Sequence, residues 1–199
     1  MTSLLNKARA LIEPSPPYSA SRVYLHWISA AVILWATFSG FGVAVLAPDD
    51  SFRAWVESFN PQLTSVFIPV FMWRAWLAMT ANSKAPLRTL QEHLAHWAHL
   101  AIYVTVTGVL ITGALMMTHP VTMLGLIQLP QLIHSATALI TLHEVHHVLC
   151  AALAGLVVLH VMAVVQHQVL GRSVLGRMRA SSTSSSRSRN ASYRSGERM

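Results

Sequence analysis

The last long apolar stretch, His146-His147-Val148-Leu149-Cys150 through Leu159-His160, constrains this chain more than any other. It reads as a membrane-spanning helix with a histidine near each end of its apolar run. His146 and His160 are fourteen residues apart, and at about 100° per residue that brings both imidazoles to nearly one face. At about 1.5 Å per residue they stand roughly 21 Å apart along the axis. Ionisable groups within hydrocarbon are costly, and their default reading is functional. Two imidazoles at two depths on one face suit two stacked haems, each needing a second ligand from another helix. The alternative is a pair of histidines that only hydrogen-bond across helices.

Composition places the rest of the chain in the same solvent. Charged residues make up 11% of the sequence and hydrophobic ones 53%, against about 25% charged in soluble domains. The 199 residues are enough for one all-α bundle of about four spanning helices and no large second domain. The single cysteine, Cys150, excludes an internal disulfide and reads as a small packing residue. No Cys-x-x-Cys-His is present, which excludes covalent c-type haem attachment. The net charge of +7 is concentrated in the tail and does not argue for nucleic acid.

Residues 1–21 are polar, basic and proline-bearing, without the apolar core and cleavage site of a signal peptide. They are expected to form a cytoplasmic N-terminal segment. A domain of four spans is expected over 22–171, with spans at about 24–47, 62–79, 92–117 and 143–170. The loop from Pro48 to Pro61 is expected to be short. Pro69 should kink the second span, and Arg74 near its end sits beside Trp73 and Trp76, residues suited to an interfacial belt. Arg74 itself reads either as a snorkelling charge or as a partner for a haem propionate. A polar loop covers 82–90. The uncharged connection 118–142 is expected to lie at the interface, with Leu124 to Ile140 interrupted by Pro130. Residues 172–199 are Ser- and Arg-rich and are expected to be a disordered tail.

Lysine and arginine set the orientation. The N-terminus carries Lys7, Arg9 and Arg22, the first loop Arg53, the second loop Lys84 and Arg88, the third none, and the tail seven arginines. This alternation predicts both termini in the cytoplasm. It puts His26, at the start of the first span, at a depth similar to His160. His96, His99 and His167 fall near the same face, and His146 at the opposite one.

Several pieces together resemble the bacterial cytochrome b561 family of four-helix, di-haem membrane proteins, relatives of the b-type subunits of nickel hydrogenases. They are Ser21-Arg22-x-x-x-His26-Trp27, Arg74, Leu94-Ala95-His96-Trp97-Ala98-His99-Leu100-x-x-Tyr103, Gly113-Ala114-Leu115-Met116-Met117 and the His146–His160–His167 ladder. The resemblance covers about residues 21 to 179. It implies an electron-transfer oxidoreductase of the bacterial inner membrane and respiratory chain. Such a protein would pass electrons between quinone and a redox partner, either superoxide or a dehydrogenase.

Residue by residue, the resemblance implies that His26 and His160 are the axial iron ligands of one haem b. His146 matches the last-span ligand of a second haem. The pattern's other ligand for that haem would fall fourteen residues before Arg74, and there the chain has Asn60. No histidine lies between His26 and His93. The second site is therefore expected to carry no haem, or a five-coordinate one on His146, unless His119 or His134 folds inward. Without haem, His146 would need Asn60, Glu144 or water as a hydrogen-bond partner.

Other readings remain beside this one. His93, His96 and His99 fan over roughly 120° of helix surface and cannot easily converge on one ion. His96 and His99 suit a quinone site or a propionate as well as they suit packing. His143 and His147 have a spacing that can hold a transition metal, and Glu144 could hold a ligating imidazole in place. A haem-free or metal-binding membrane scaffold is thus the alternative function. The partners implied are lipid, quinone and an electron donor that the residues do not specify; pairing with a second copy stays open.

Overall fold

The computed structural model describes residues 19–80, 89–118, 120–123 and 127–170. The N-terminal segment before Ser19, residues 81–88 around the second loop, His119, residues 124–126 and the tail from Gly171 lie outside the described residues. Those described are mostly helical: α1 (Ala20–Val43), α2 (Ser51–Met79), α3 (Leu90–Leu115) and α4 (Ala136–Val169). Between α3 and α4, β1 (Val121–Met123) pairs antiparallel with β2 (Ile127–Leu129), Thr122 opposite Gln128. Tyr24–Gln166 form one compact unit, and every site described below lies within it. Residues 19–23 and 167–170 belong to another. There the Ser19 carbonyl opens α1 by accepting from the Arg22 and Val23 amides, and His167 stands in the last turn of α4.

Three of the four helices, α1, α3 and α4, are long and apolar enough to cross a membrane. The fourth, α2, carries Arg53, Glu57 and Arg74 and falls short of that measure among the described residues. The exposed residues suit lipid rather than water. Only 6% of the most apolar window of α4 is buried, and Val148, Leu159 and Met162 are among its exposed side chains. An apolar surface of that extent on a soluble monomer would be a liability. Among the described residues no buried side-chain nitrogen or oxygen lacks a partner. Hydroxyls achieve this by bonding back to the preceding turn, as Ser29 does to the Leu25 carbonyl (2.6 Å) and Thr112 to that of Gly108 (2.7 Å).

The second helix departs from the sequence reading. Asn60-Pro61 is not a loop before the span but part of α2, which begins nine residues earlier at Ser51. Asp50 caps it by accepting from the Phe52 and Arg53 amides, at 2.7 and 3.3 Å. Arg53 pairs with Glu57 one turn on, at 2.9 Å. Trp55 stacks on Phe59 (4.9 Å), and Trp35 of α1 meets both rings edge-on at 6.0 Å. Pro61 lies inside this helix, and hydroxyls one turn on bond the carbonyls beside it. Thr64 donates to the Asn60 carbonyl (2.8 Å) and Ser65 to that of Pro61 (2.7 Å).

The connection departs too. It holds the β1–β2 hairpin, with β1 packed on α2, and α4 starts at Ala136 rather than near His143. At its other end α3 is closed by a capping box in which Thr89 and Glu92 exchange hydrogen bonds at 3.2 Å. The core joins all four helices. Phe67 and Phe71 of α2, Val106 of α3 and Leu153 of α4 are buried, and Val32 and Ile33 of α1 pack against them. Glycine lets α3 and α4 approach. A Cβ at Gly108 would stand 3.1 Å from Leu149 Cδ1, and one at Gly113 would stand 3.3 Å from His146 Cε1.

Candidate haem site

Each helix contributes one or more polar groups to a cluster at one end of the bundle. His26 comes from the second turn of α1, Arg74 from the last third of α2, His99 and Tyr103 from successive turns of α3, and His160 from α4. Arg74 turns into the bundle while its neighbours Trp73 and Trp76 stay exposed. Its Nη2 lies 3.2 Å from His26 Nδ1. Its Nε donates to the Tyr103 hydroxyl at 3.2 Å, with the guanidinium carbon 5.4 Å from the centre of that ring. Arginine has only donors, so His26 Nδ1 accepts, and the proton of the neutral ring is on Nε2.

On α3 and α4, the rings of His99 and His160 meet edge to face, 5.2 Å between centres. His26 lies within electrostatic reach of Arg74, His160 and His99 together. His99 is at once in contact with His160 and open to the outside of the bundle. The donor set fits haem b. Neutral imidazoles are iron ligands, and a guanidinium in an apolar bundle suits a carboxylate.

The other end of the bundle is organised around His146. Thr112 Oγ1 gives its only proton to the Gly108 carbonyl at 2.7 Å, so across 2.9 Å it accepts from His146 Nδ1. His146 Nε2 then carries the lone pair, and Cys150 Sγ, one turn on, approaches it at 3.4 Å. Asn60 and Glu144 are not the partners used. Asn60 bonds α1 instead: its Oδ1 accepts from Trp35 Nε1 (3.1 Å) and its Nδ2 donates to Ser39 Oγ (2.9 Å). Glu144 lines a groove of about 410 Å³ with His143 and His147, whose rings meet edge to face at 5.3 Å. His134 is exposed in the segment before α4 and does not fold inward. Among the described residues, no three His, Cys, Asp or Glu side chains gather to hold a metal ion.

Sequence reasoning overlooked Thr112, the contact of Tyr103 with Arg74 and the interaction of Cys150. Tyr103 is one turn beyond His99, and Cys150 one turn beyond His146, so both were available from helix spacing. Thr112 had no such signal, because it meets His146 only through the packing of α3 on α4.

A comparison with curated proteins finds no match. The family model described as prokaryotic cytochrome b561 matches residues 18–180, most of the chain and all of the residues gathered at the two ends of the bundle. The chain therefore belongs to the prokaryotic cytochrome b561 family.

Proposed function

We propose that this multi-pass membrane b-type cytochrome of electron transfer binds haem b between His26 of α1 and His160 of α4. It would exchange electrons with a quinone near His99 and with a second redox partner, superoxide or a dehydrogenase. The observation that carries this reading is the convergence of His26, Arg74, His99 and His160 from four helices into one cluster. Haem b supplies a one-electron iron couple whose potential is set by its axial ligands, its burial and nearby charge.

The residues have distinct roles in this reading. His26 and His160 hold the iron, and Arg74 neutralises a propionate. A neutral imidazole that ligates through Nε2 carries its proton on Nδ1. His26 would then be a donor where Arg74 now donates, so Arg74 must turn to another acceptor, and a propionate carboxylate is one. His99 is open to the lipid side and touches His160. It would hydrogen-bond the head group of a lipophilic quinone arriving from the bilayer.

The topology we propose is four spans, α2 being the most polar of them, with both termini in the cytoplasm and the bundle in the inner membrane. It rests on the alternation of lysine and arginine along the chain. A reduced-minus-oxidised spectrum of membranes holding the protein tests the haem assignment. The sharp bands of low-spin haem are expected, and either His26→Ala or His160→Ala should abolish them while the protein stays in the membrane. A full, unshifted spectrum in either variant would show the pairing to be wrong.

A further inference from the structure

His146 stands fourteen residues from His160 on the same helix, at a second depth where another haem could be sought. Its surroundings differ from those of the first cluster. Both of its ring nitrogens are engaged: Nδ1 with Thr112 at 2.9 Å, and Nε2 with the Cys150 thiol at 3.4 Å. The ring sits close enough to α3 that a Cβ at Gly113 would come within 3.3 Å of its Cε1. Asn60 is spent on Trp35 and Ser39. Between α2 and α3, the cleft beside Pro61 and Gly113 measures about 10 Å³, room for about one water.

From these contacts we infer that the His146 end of the bundle is closed to haem, with Cys150 capping the lone pair that iron would need, and that each chain binds one haem. The count of one rests on the reading of His26 and His160 given above. In place of a second cofactor this end holds two polar clasps. Ser39 and Trp35 with Asn60 join α1 to α2, and Thr112 with His146 joins α3 to α4. The thiol proton on Nε2 and the ring proton on Thr112 satisfy an imidazole that would otherwise be costly in hydrocarbon. To bind iron, His146 would have to expel the Cys150 thiol and find a partner ligand across the cleft, where no imidazole stands among the described residues.

Two measurements on the full-length protein test this. The first is the haem-to-chain ratio by pyridine haemochrome, in the wild type, Asn60→His, and Asn60→His with Cys150→Ala. One haem per chain is expected in the wild type and in the single variant, with a second, low-spin haem only in the double variant. Two haems in the wild type, or a second in Asn60→His alone, would overturn the closure by Cys150. The second is the infrared S–H stretch, which a chain with a single cysteine shows as one band. It should be shifted to lower frequency in the wild type and return to the free-thiol position in His146→Ala. A free-thiol band in the wild type would overturn the proposal, even if the double variant failed to assemble. A wild type with no haem at all, but a shifted band, would refute the haem reading of His26 and His160 and leave the capped His146 standing.

Discussion

Arg74 donates to His26 Nδ1 and to the Tyr103 hydroxyl at the same distance, 3.2 Å, and so ties α2 to both α1 and α3. A guanidinium at the end of a helix in a bilayer ordinarily reaches outward to the interface. Here the outward positions belong to Trp73 and Trp76, and the charge is turned inward.

Lysine at position 74 keeps the charge but cannot reach both partners in a fixed plane, and glutamine removes the charge. Hydrogen bonds to charged groups are worth about 1.5–3 kcal/mol, so Arg74→Gln should lower haem affinity by roughly tenfold or more. Arg74→Lys should fall between it and the wild type. Haem titration of the purified apoprotein checks the order. Equal affinity in all three would remove Arg74 from the site.

His99→Ala separates the two roles assigned to the touching rings of His99 and His160. The low-spin spectrum should survive in His99→Ala, with the KM for quinone raised several-fold, whereas His160→Ala should lose the spectrum itself. Steady-state kinetics with a short-chain quinone, beside the spectrum of each variant, give the result. Unchanged KM in His99→Ala would place the quinone elsewhere.

The two α3 glycines should respond differently to alanine. At Gly108 the new Cβ meets the end of a Leu149 side chain at 3.1 Å, which can change rotamer, so the cost should be small. At Gly113 it meets an imidazole 3.3 Å away that Thr112 and Cys150 hold on both nitrogens, so the ring cannot swing clear. Overpacking of that kind costs about 1–3 kcal/mol. Thermal unfolding in detergent should therefore show a larger fall in Tm for Gly113→Ala than for Gly108→Ala; the reverse order would mean that the ring is free to move.

Topology is tested by a reporter fused at Asp49-Asp50, between α1 and α2. With both termini cytoplasmic, a periplasm-active reporter there should be active and a cytoplasm-active one silent. The opposite pattern would invert the orientation.

The helices and the histidine cluster were legible because long uncharged runs leave few alternatives, and because spacing along a helix fixes which side chains share a face. His26, His99 and His160 could be set at one depth from the sequence. The start of α2 was not legible. Asn60-Pro61 carries the chemistry of a turn, and the aromatic stack of Trp55 and Phe59 against Trp35, which supports helix ahead of it, exists only once α1 and α2 pack. The β1–β2 hairpin was overlooked within a long uncharged stretch, although Val121-Thr122-Met123 and Ile127-Gln128-Leu129 alternate and flank a short stretch with Gly125. The partners of His146 were out of reach for a related reason: a bond from α3 to α4 leaves no trace in the spacing of either helix.

The polar clasps also say something about how the protein comes to be made. Asn60 with Ser39 and Trp35 joins the first two helices, and Thr112 with His146 joins the last two. Each clasp is thus internal to a pair of helices that leave the ribosome one after the other. The first hairpin can complete its own contact before α3 exists, and the second needs nothing from the first. At the opposite end Arg74 crosses from one pair to the other through Tyr103. That step has to wait until the second hairpin has entered the membrane, which makes it a late stage of biogenesis.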